Sequence, residues 1–125
     1  EGGDEHILVV DDEEQIVLLQ TEMLQRLGYQ VTGLRDSVAA LDLIRESPDR
    51  FDLLITDLTM PRLTGERLAQ QAREIRPDLP VILSTGFSDR VADLKGGNGK
   101  AIDAIAMKPM VRKEIAELIR QVLGG

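Results

Sequence analysis

Five short apolar runs alternate with amphipathic segments along the chain, and this alternation constrains the fold more than any other feature. The runs are ILVV (7–10), VTGL (31–34), LLIT (53–56), VILS (81–84) and AIAM (104–107). Most of them are nearly continuous in hydrophobicity, which is typical of strands buried on both faces of a sheet. Strands that alternate with helices predict a three-layer, doubly wound α/β fold with a five-stranded parallel sheet.

Apolar residues at helical spacing fill the segments between the runs. The predicted apolar faces are Ile16, Leu19, Met23, Leu24 and Leu27, then Val38, Leu41 and Ile44, then Leu68, Ala72 and Ile75, and finally Val111, Ile115, Leu118, Ile119 and Val122. Gly28 and Pro77 are predicted to end two of these helices, and Asp36 or Ser37 to cap another. Between the fourth and fifth strands, segment 88–103 predicts only a short or mobile helix, because the glycines of KGGNGK interrupt it.

Charge and composition limit the classes of function. A formal net charge of −7 without any block of Lys or Arg argues against nucleic-acid contacts and against an anionic membrane surface. The absence of cysteine excludes disulfides and thiolate metal sites, and it fits a reducing, cytoplasmic location. No apolar run approaches the roughly 20 residues of a membrane helix. We expect one domain over residues 1–125, with 1–5 as a linker stub and a core at 6–123.

Polar residues follow the apolar runs at the points where the predicted strands end. Asp11 and Asp12 follow the first run, Asp57 the third, Thr85 the fourth, and Lys108 the fifth. Parallel strands joined by right-handed crossovers end at one edge of the sheet, and ligands of open α/β sheets bind at that edge. We therefore expect three carboxylates, a hydroxyl and an ammonium group to converge there.

These residue types predict magnesium-dependent phosphoryl chemistry. Carboxylates packed together repel one another, and a hard divalent cation such as Mg²⁺ relieves that repulsion through oxygen ligands. The central acid, Asp57, is the natural nucleophile, since a carboxylate can hold phosphate as an acyl phosphate. Lys108 and Thr85 would supply a positive charge and a hydroxyl donor to the transferring group.

Simpler interpretations exist for each of these residues taken alone. Asp11 and Asp12 could cap the first helix, because acids are favoured at a helix N-terminus. Asp57 could simply begin the turn before TMP, Thr85 could belong to an ordinary turn, and Lys108 could be a solvated surface charge. His6, the only histidine, is expected to be an exposed side chain without a metal-binding role.

The stretches ILVVDDEE, LLITDLTMPRLTG, PVILSTG and MKP, in this order, resemble the receiver domain of bacterial response regulators. The resemblance to this CheY-like family covers residues 6–123. It implies a flavodoxin-like sheet with strand order 2-1-3-4-5. It also implies that the chain is the phosphoacceptor domain of a two-component phosphorelay, phosphorylated by a histidine kinase or a histidine phosphotransfer protein.

The resemblance assigns roles to individual residues. It implies that Asp57 is the phosphoacceptor and that Mg²⁺, with Mn²⁺ as a substitute, is bound by Asp11, Asp12, Asp57 and the backbone carbonyl of Thr59. It further implies that Thr85 and Lys108 contact the phosphoryl group and that Gly86 and Thr59 lie beside it. Pro61 and Gly65 would form the turn that follows Asp57. The resemblance also places Ile105 with Thr85 in the switch, at a position where the family usually has an aromatic residue. An aliphatic side chain has no polar tip, so the usual aromatic rotation is not expected here.

The context of such a domain leaves alternatives open. The chain could be a stand-alone receiver or the receiver of a hybrid sensor histidine kinase, whose parent protein could be anchored in a membrane. The face of the fourth helix, fifth strand and fifth helix would carry the switch and could support a dimer. Such a domain is not a dedicated enzyme, although it catalyses its own phosphorylation and dephosphorylation. The rival functions are a magnesium-dependent aspartyl phosphatase and an interaction module that is never phosphorylated.

Overall fold

A parallel sheet with helices on both faces forms the body of the protein. The computed structural model describes residues 5–58, 63–85, 103–107 and 111–123. The strands are β1 (His6–Val10), β2 (Gln30–Leu34), β3 (Leu53–Asp57), β4 (Val81–Thr85) and β5 (Ala104–Met107), in the order β2-β1-β3-β4-β5. The described helices are α1 (Glu14–Arg26), α2 (Ser37–Glu46), α3 (Gly65–Ile75) and α4 (Arg112–Leu123). The predicted fold class and strand order are confirmed.

Alternate residues of each strand feed two separate cores, one on each face of the sheet. On one face, Leu8, Val10 and Leu54 pack with α2 and α3; on the other, residues such as Val9 and Ile55 pack with α1 and α4. Successive side chains of a strand point to opposite faces, so strands covered on both sides need continuous apolar runs. The edge strand β2 is only partly buried, which explains why VTGL is the least apolar of the five runs.

The first helix ends in a glycine turn, as the sequence predicts. Gly28 has a φ of 102°, in the left-handed region that glycine adopts without strain. The Gly28 amide donates to the Gln25 carbonyl (3.0 Å) and the Tyr29 amide donates to the Leu24 carbonyl (3.2 Å). This pair of bonds is a Schellman motif, which satisfies the last carbonyls of α1 and directs the chain into β2.

The capping prediction for α2 is confirmed with Asp36 as the N-cap. The Asp36 side chain accepts a hydrogen bond from the Val38 amide at 2.9 Å. The third helix is capped in the same way, since the Thr64 hydroxyl accepts from the Arg67 amide at 3.3 Å. Each cap satisfies one of the amides that a helix N-terminus leaves without an intrahelical partner.

Two predicted helix faces need correction. In α1 the buried residues are Val17, Gln20 and Leu24, whereas the predicted core residue Leu19 is 57% exposed. In the last helix Ile115 and Ile119 are buried as predicted, but Val111 precedes α4 and is 51% exposed. The predicted helix at 88–103 lies outside the described residues except for Asp103. No helix among the described residues is both long and apolar enough to span a membrane.

The expectation that His6 is an exposed side chain is wrong, because His6 is half-buried. Its imidazole Nε2 lies 2.7 Å from the Thr32 hydroxyl, and its ring meets the Phe51 ring edge-on at 4.8 Å between centroids. The His6 amide also donates to the Asp52 carboxylate at 2.8 Å. Burial and the nearby Arg50 guanidinium lower the His6 pKa from its usual 6.5, and the Asp52 charge only partly opposes this effect.

A charged cluster fixes the start of β5 beside β4 and the end of α3. The Asp103 carboxylate accepts hydrogen bonds from the Val81 amide (2.8 Å) and from the Arg73 guanidinium. Arg73 also donates to the Leu79 carbonyl at 2.7 Å, and the Asp103 amide donates to the Val81 carbonyl at 2.9 Å. Arg73 therefore ties the end of α3 to the segment before β4 and to the start of β5, 30 residues further along the chain.

Candidate functional site

The register of the central strands brings the predicted site residues to one edge of the sheet. Val10 in β1 is paired with Thr56 in β3, so the residues that follow them, Asp11 and Asp57, lie beside each other on neighbouring strands. On the other side, Asp57 is paired with Ser84 in β4. Thr85 is the next residue and the last of β4. The predicted convergence of Asp11, Asp57 and Thr85 is thus built into the strand pairing.

Three carboxylates meet at this edge. One carboxylate oxygen from each of Asp11, Asp12 and Asp57 lies within 4.8 Å of the other two. Asp11 and Asp57 are only 1% and 6% exposed, whereas Asp12 is half-buried. Like charges this close and this poorly solvated repel strongly, because the low local dielectric screens them less than water does.

The donor set at this edge fits a hard divalent cation. All three groups offer carboxylate oxygens close enough to share one ion, and oxygen is the ligand type that Mg²⁺ prefers. A cation bound there would offset the repulsion between the carboxylates. The described residues therefore support the magnesium-site hypothesis through the chemistry and proximity of their side chains.

Asp11 also shapes the turn into the first helix. Its Oδ1 accepts a hydrogen bond from the Glu13 amide at 3.0 Å, and the Asp11 amide donates to the Leu34 carbonyl at 3.1 Å. The N-cap position of α1 is Glu13, whose side chain makes no capping hydrogen bond. The simpler interpretation of Asp11 as a turn residue is compatible with a metal-binding role, because its other oxygen is not used by this bond.

The remaining predicted site residues divide into two groups. Thr85 is 1% exposed at the end of β4 and belongs to the assembled site edge. Four others, which are Thr59, Pro61, Gly86 and Lys108, lie outside the described residues. Their roles stay predictions that follow from the resemblance.

Two contacts to the backbone of Asp57 escaped prediction. The buried Thr56 hydroxyl donates to the Asp57 carbonyl at 3.2 Å. At the start of α3, Gly65 lies so close that a Cβ built on it would stand 1.9 Å from the same carbonyl oxygen. The sequence gives one signal for the first contact, since Thr56 is the only hydroxyl residue in the run LLIT. The second contact joins residues on different elements and leaves no local signal.

Ile105 packs behind the site instead of standing free on the surface. Its half-buried side chain contacts the cluster of Leu58 and Leu83, and Leu58 directly follows Asp57. Ile105 also lines a groove of about 300 Å³ between β5 and α4. The position that the resemblance assigns to the switch is therefore in apolar contact with the strand end that carries Asp57.

A family model for the response regulator receiver domain matches residues 7–120. The chain belongs to that family. The sequence resemblance is thereby confirmed, and with it the function of a receiver domain as the phosphoacceptor domain of a two-component phosphorelay.

Relatives and solved structures agree with the family assignment. The receiver domain is 36% identical over 117 residues to the two-component response regulator ARR14 of Arabidopsis thaliana, covering 94% of this chain and 30% of that protein. It superposes on a receiver domain protein from Clostridium thermocellum with a TM-score of 0.88 and 25% identity, covering 95% and 94% of the two chains. Response regulator TrrA of Thermotoga maritima, solved in complex with Mg²⁺–BeF, gives a TM-score of 0.84 and 32% identity, covering 95% and 99%. The chain thus spans less than a third of the length of ARR14.

Proposed function

We propose that Asp57 is the residue of this receiver domain that accepts the phosphoryl group. The observation that carries the proposal is the position of its buried carboxylate at the end of β3, with oxygens of Asp11 and Asp12 within 4.8 Å. A buried acid surrounded by acids is poorly suited to stabilise the fold and well suited to hold a cation beside a phosphoryl group.

The reaction transfers a phosphoryl group from a phosphohistidine of a histidine kinase or phosphotransfer protein. An Asp57 carboxylate oxygen attacks phosphorus, the phosphorus–nitrogen bond breaks, and the imidazole nitrogen retains the electron pair and takes up a proton. The product is an acyl phosphate, which adds roughly −1.5 to −2 of charge at neutral pH by analogy with other phosphorylated side chains.

The surrounding residues position and neutralise the transferring group. Asp11, Asp12 and the Thr59 carbonyl would hold Mg²⁺ together with Asp57, and Mn²⁺ is a substitute to test. The cation, when bound, supplies positive charge to the phosphoryl oxygens. Thr85 and Lys108 would donate hydrogen bonds to the same oxygens, and Gly86 would leave space beside them. The magnesium complex of the relative TrrA supports the choice of metal.

The wider context of the domain stays a set of predictions. We propose a cytoplasmic receiver domain with its core at 6–123, without nucleic-acid or membrane contacts of its own. The parent protein is either a stand-alone regulator or a hybrid sensor histidine kinase. The helix predicted within 88–103, together with β5 and α4, would form the face through which the domain could dimerise. The strongest support is for partnership with phosphohistidine proteins, because that partnership belongs to the family.

An aspartyl phosphatase is the rival from the enzyme class. Such enzymes typically carry a second acid two residues after the nucleophile as a general acid, and this chain has Thr59 there. A phosphatase would turn over phosphomonoesters many times per site. A receiver takes its phosphoryl group from a phosphohistidine or from acetyl phosphate, so sustained release of phosphate from a phosphomonoester would favour the phosphatase.

Mass spectrometry tests the proposal directly. The protein is incubated with acetyl phosphate and Mg²⁺, and the intact mass is measured with and without a chelator. We expect an added phosphoryl group on the wild type and on Asp49→Asn, an exposed control in the loop between α2 and β3. We expect none on Asp57→Asn. An adduct that persists on Asp57→Asn would exclude Asp57 as the acceptor.

A further inference from the structure

The peptide that follows Asp57 is held by hydrogen bonds at both of its polar atoms. The Asp57 carbonyl accepts from the Thr56 hydroxyl at 3.2 Å, and the Leu58 amide donates to the Ser84 carbonyl at 2.9 Å. The next carbonyl, that of Leu58, accepts from the Gly65 amide at 2.9 Å. The segment directly after the acceptor carboxylate is therefore tied to its own strand, to β4 and to α3.

Packing alone does not explain the Thr56 hydroxyl. Thr56 is fully buried, and its register partners on the two neighbouring strands, Val10 and Leu83, are aliphatic. Valine has the same shape and an equal preference for strands, and it would bury no hydroxyl. The hydroxyl therefore incurs a desolvation penalty that its bond to the Asp57 carbonyl has to offset.

Gly65, at the start of α3, is packed closely against the same carbonyl group. A Cβ on Gly65 would lie 1.9 Å from the Asp57 carbonyl oxygen and 2.8 Å from its carbonyl carbon. The first turn of α3 thus rests directly on the Asp57 peptide. Together, the Thr56 hydroxyl and the Gly65 backbone restrict both the rotation and the translation of this peptide.

We propose that Thr56 is a positioning residue for the phosphoacceptor, acting with Gly65 on the Asp57 carbonyl to hold the carboxylate in line for attack. Thr56 does not touch the reacting atoms, because its side chain projects from the opposite face of β3 to that of Asp57. It acts by fixing the backbone dihedral that directs the Asp57 side chain. Small misplacements of a nucleophile lower transfer rates steeply, so one backbone hydrogen bond can matter. This inference rests on Asp57 being the acceptor.

The test compares three variants in their rate of phosphorylation by acetyl phosphate at saturating Mg²⁺. Thr56→Val removes the hydroxyl and keeps the shape, whereas Thr56→Ser restores a hydroxyl in a smaller side chain. Thr21→Val is the matched control, because the Thr21 hydroxyl oxygen is also buried and makes no hydrogen bond among the described residues. The urea midpoint of each variant and the amide exchange rate of Leu58 are measured alongside.

A positioning role predicts a specific pattern. Thr56→Val should lower the maximal rate about threefold to tenfold, the effect of one neutral hydrogen bond, without changing the donor concentration at half-maximal rate. Leu58 amide exchange should accelerate, Thr56→Ser should recover most of the rate, and Thr21→Val should match the wild type. The urea midpoint of Thr56→Val should not fall, which separates positioning from loss of stability.

Two results would overturn the inference in distinguishable ways. If wild type and Thr21→Val are phosphorylated on Asp57 and Thr56→Val reacts at the same maximal rate, Thr56 has no positioning role and the proposed function stands. If the wild type takes up no phosphoryl group on Asp57, the proposed function fails and this inference fails with it.

Discussion

Gly65 and Asp57 are in backbone contact, so the first turn of α3 is seated on the carbonyl of the phosphoacceptor candidate. The distance from a Cβ at Gly65 to that oxygen would be 1.9 Å, which no real side chain tolerates, and the neighbouring Leu83 Cδ1 would be 3.0 Å away. The atoms in the way belong to the backbone of the central strand. Relief would therefore require a shift of α3 or of β3.

Gly65→Ala should consequently destabilise the fold and disturb the site together. We expect the free energy of unfolding to fall by about 1–3 kcal/mol, the usual effect of overpacking. We also expect slower phosphorylation by acetyl phosphate, because the Asp57 peptide must move. Urea unfolding followed by circular dichroism measures the first effect, and the rate of mass increase measures the second.

Gly33→Ala is the variant against which the loss of stability in Gly65→Ala is compared. A Cβ there would meet Val17 Cγ1 at 2.6 Å and Thr21 Oγ1 at 3.0 Å, and both are side-chain atoms of a packed helix, which yield by small shifts more easily than the backbone of a central strand. We expect a smaller loss of stability than for Gly65→Ala and an unchanged phosphorylation rate. Equal stability of Gly65→Ala and the wild type would contradict the backbone contact.

The single histidine makes part of the stability depend on pH. Burial first, and then the Arg50 charge, lower the folded-state pKa of His6 below 6.5. The proton is therefore bound more tightly in the unfolded chain than in the folded one. The stabilisation from neutral His6 is complete above pH 6.5 and is lost as the pH falls below that value through the folded-state pKa.

Two measurements check this prediction. The one imidazole C2 proton of the chain should titrate in NMR spectra with a midpoint below 6.5. Between about pH 7.5 and about pH 5.5, wild type should lose more free energy of unfolding than His6→Gln, which keeps a polar contact for Thr32 without a titrating ring. A midpoint above 6.5, or parallel pH profiles of the two proteins, would contradict the assigned environment.

Because three carboxylates are clustered at the site, replacing one of them should raise the stability of the protein without Mg²⁺ and lower it, relative to the wild type, with Mg²⁺. Asp12→Asn removes one charge from a group whose oxygens lie within 4.8 Å. In chelator, we expect the variant to be more stable than the wild type by up to about 1 kcal/mol, because repulsion is relieved. In excess Mg²⁺ the order should reverse, since the wild type gains stability from the ion that it binds more tightly.

Thermal unfolding with and without Mg²⁺ measures both effects in one series. Asp49→Asn, an exposed change of the same chemistry, should respond to Mg²⁺ as the wild type does. If wild type and Asp12→Asn gained equal stability from Mg²⁺, Asp12 would not be a ligand.

The sequence predicted the features of this receiver domain that repeat at fixed spacing or at element ends. The five runs became the five strands, and their register placed Asp11, Asp57 and Thr85 together without any side-chain information. The α1 face was predicted only in part: Met23, Leu24 and Leu27 pack in the core as predicted, whereas Leu19 is exposed and the buried Val17 was missed, because the exposed leucines of α1 disguise the stripe. A hydrophobic pattern shows a face only where the opposite face is polar.

The missed contacts of His6 and Gly65 have a different cause. His6 meets Asp52 across 46 residues of sequence, and Gly65 meets Asp57 where a helix start crosses a strand end. Both depend on how elements are packed, which no local pattern encodes. Thr56 was missed for a third reason: its hydroxyl stands out in the run LLIT, but the acceptor of its hydrogen bond is visible only in the folded chain.

The packing of Ile105 gives the last prediction. Ile105 fills the space between the groove wall of α4 and the buried pair Leu58 and Leu83. Ile105→Ala should lower the free energy of unfolding by about 1–2 kcal/mol, less than for a fully buried isoleucine because the site is half-exposed and open to the groove.

Val111→Ala is the matched control, since Val111 lines the same groove but is 51% exposed, and it should change stability by less than about 0.5 kcal/mol. Because Leu58 adjoins Asp57, Ile105→Ala should also shift the Leu58 amide resonance, whereas Val111→Ala should leave it in place. Equal stability losses in the two variants, or an unmoved Leu58 resonance in Ile105→Ala, would show that Ile105 is not packed against the end of β3.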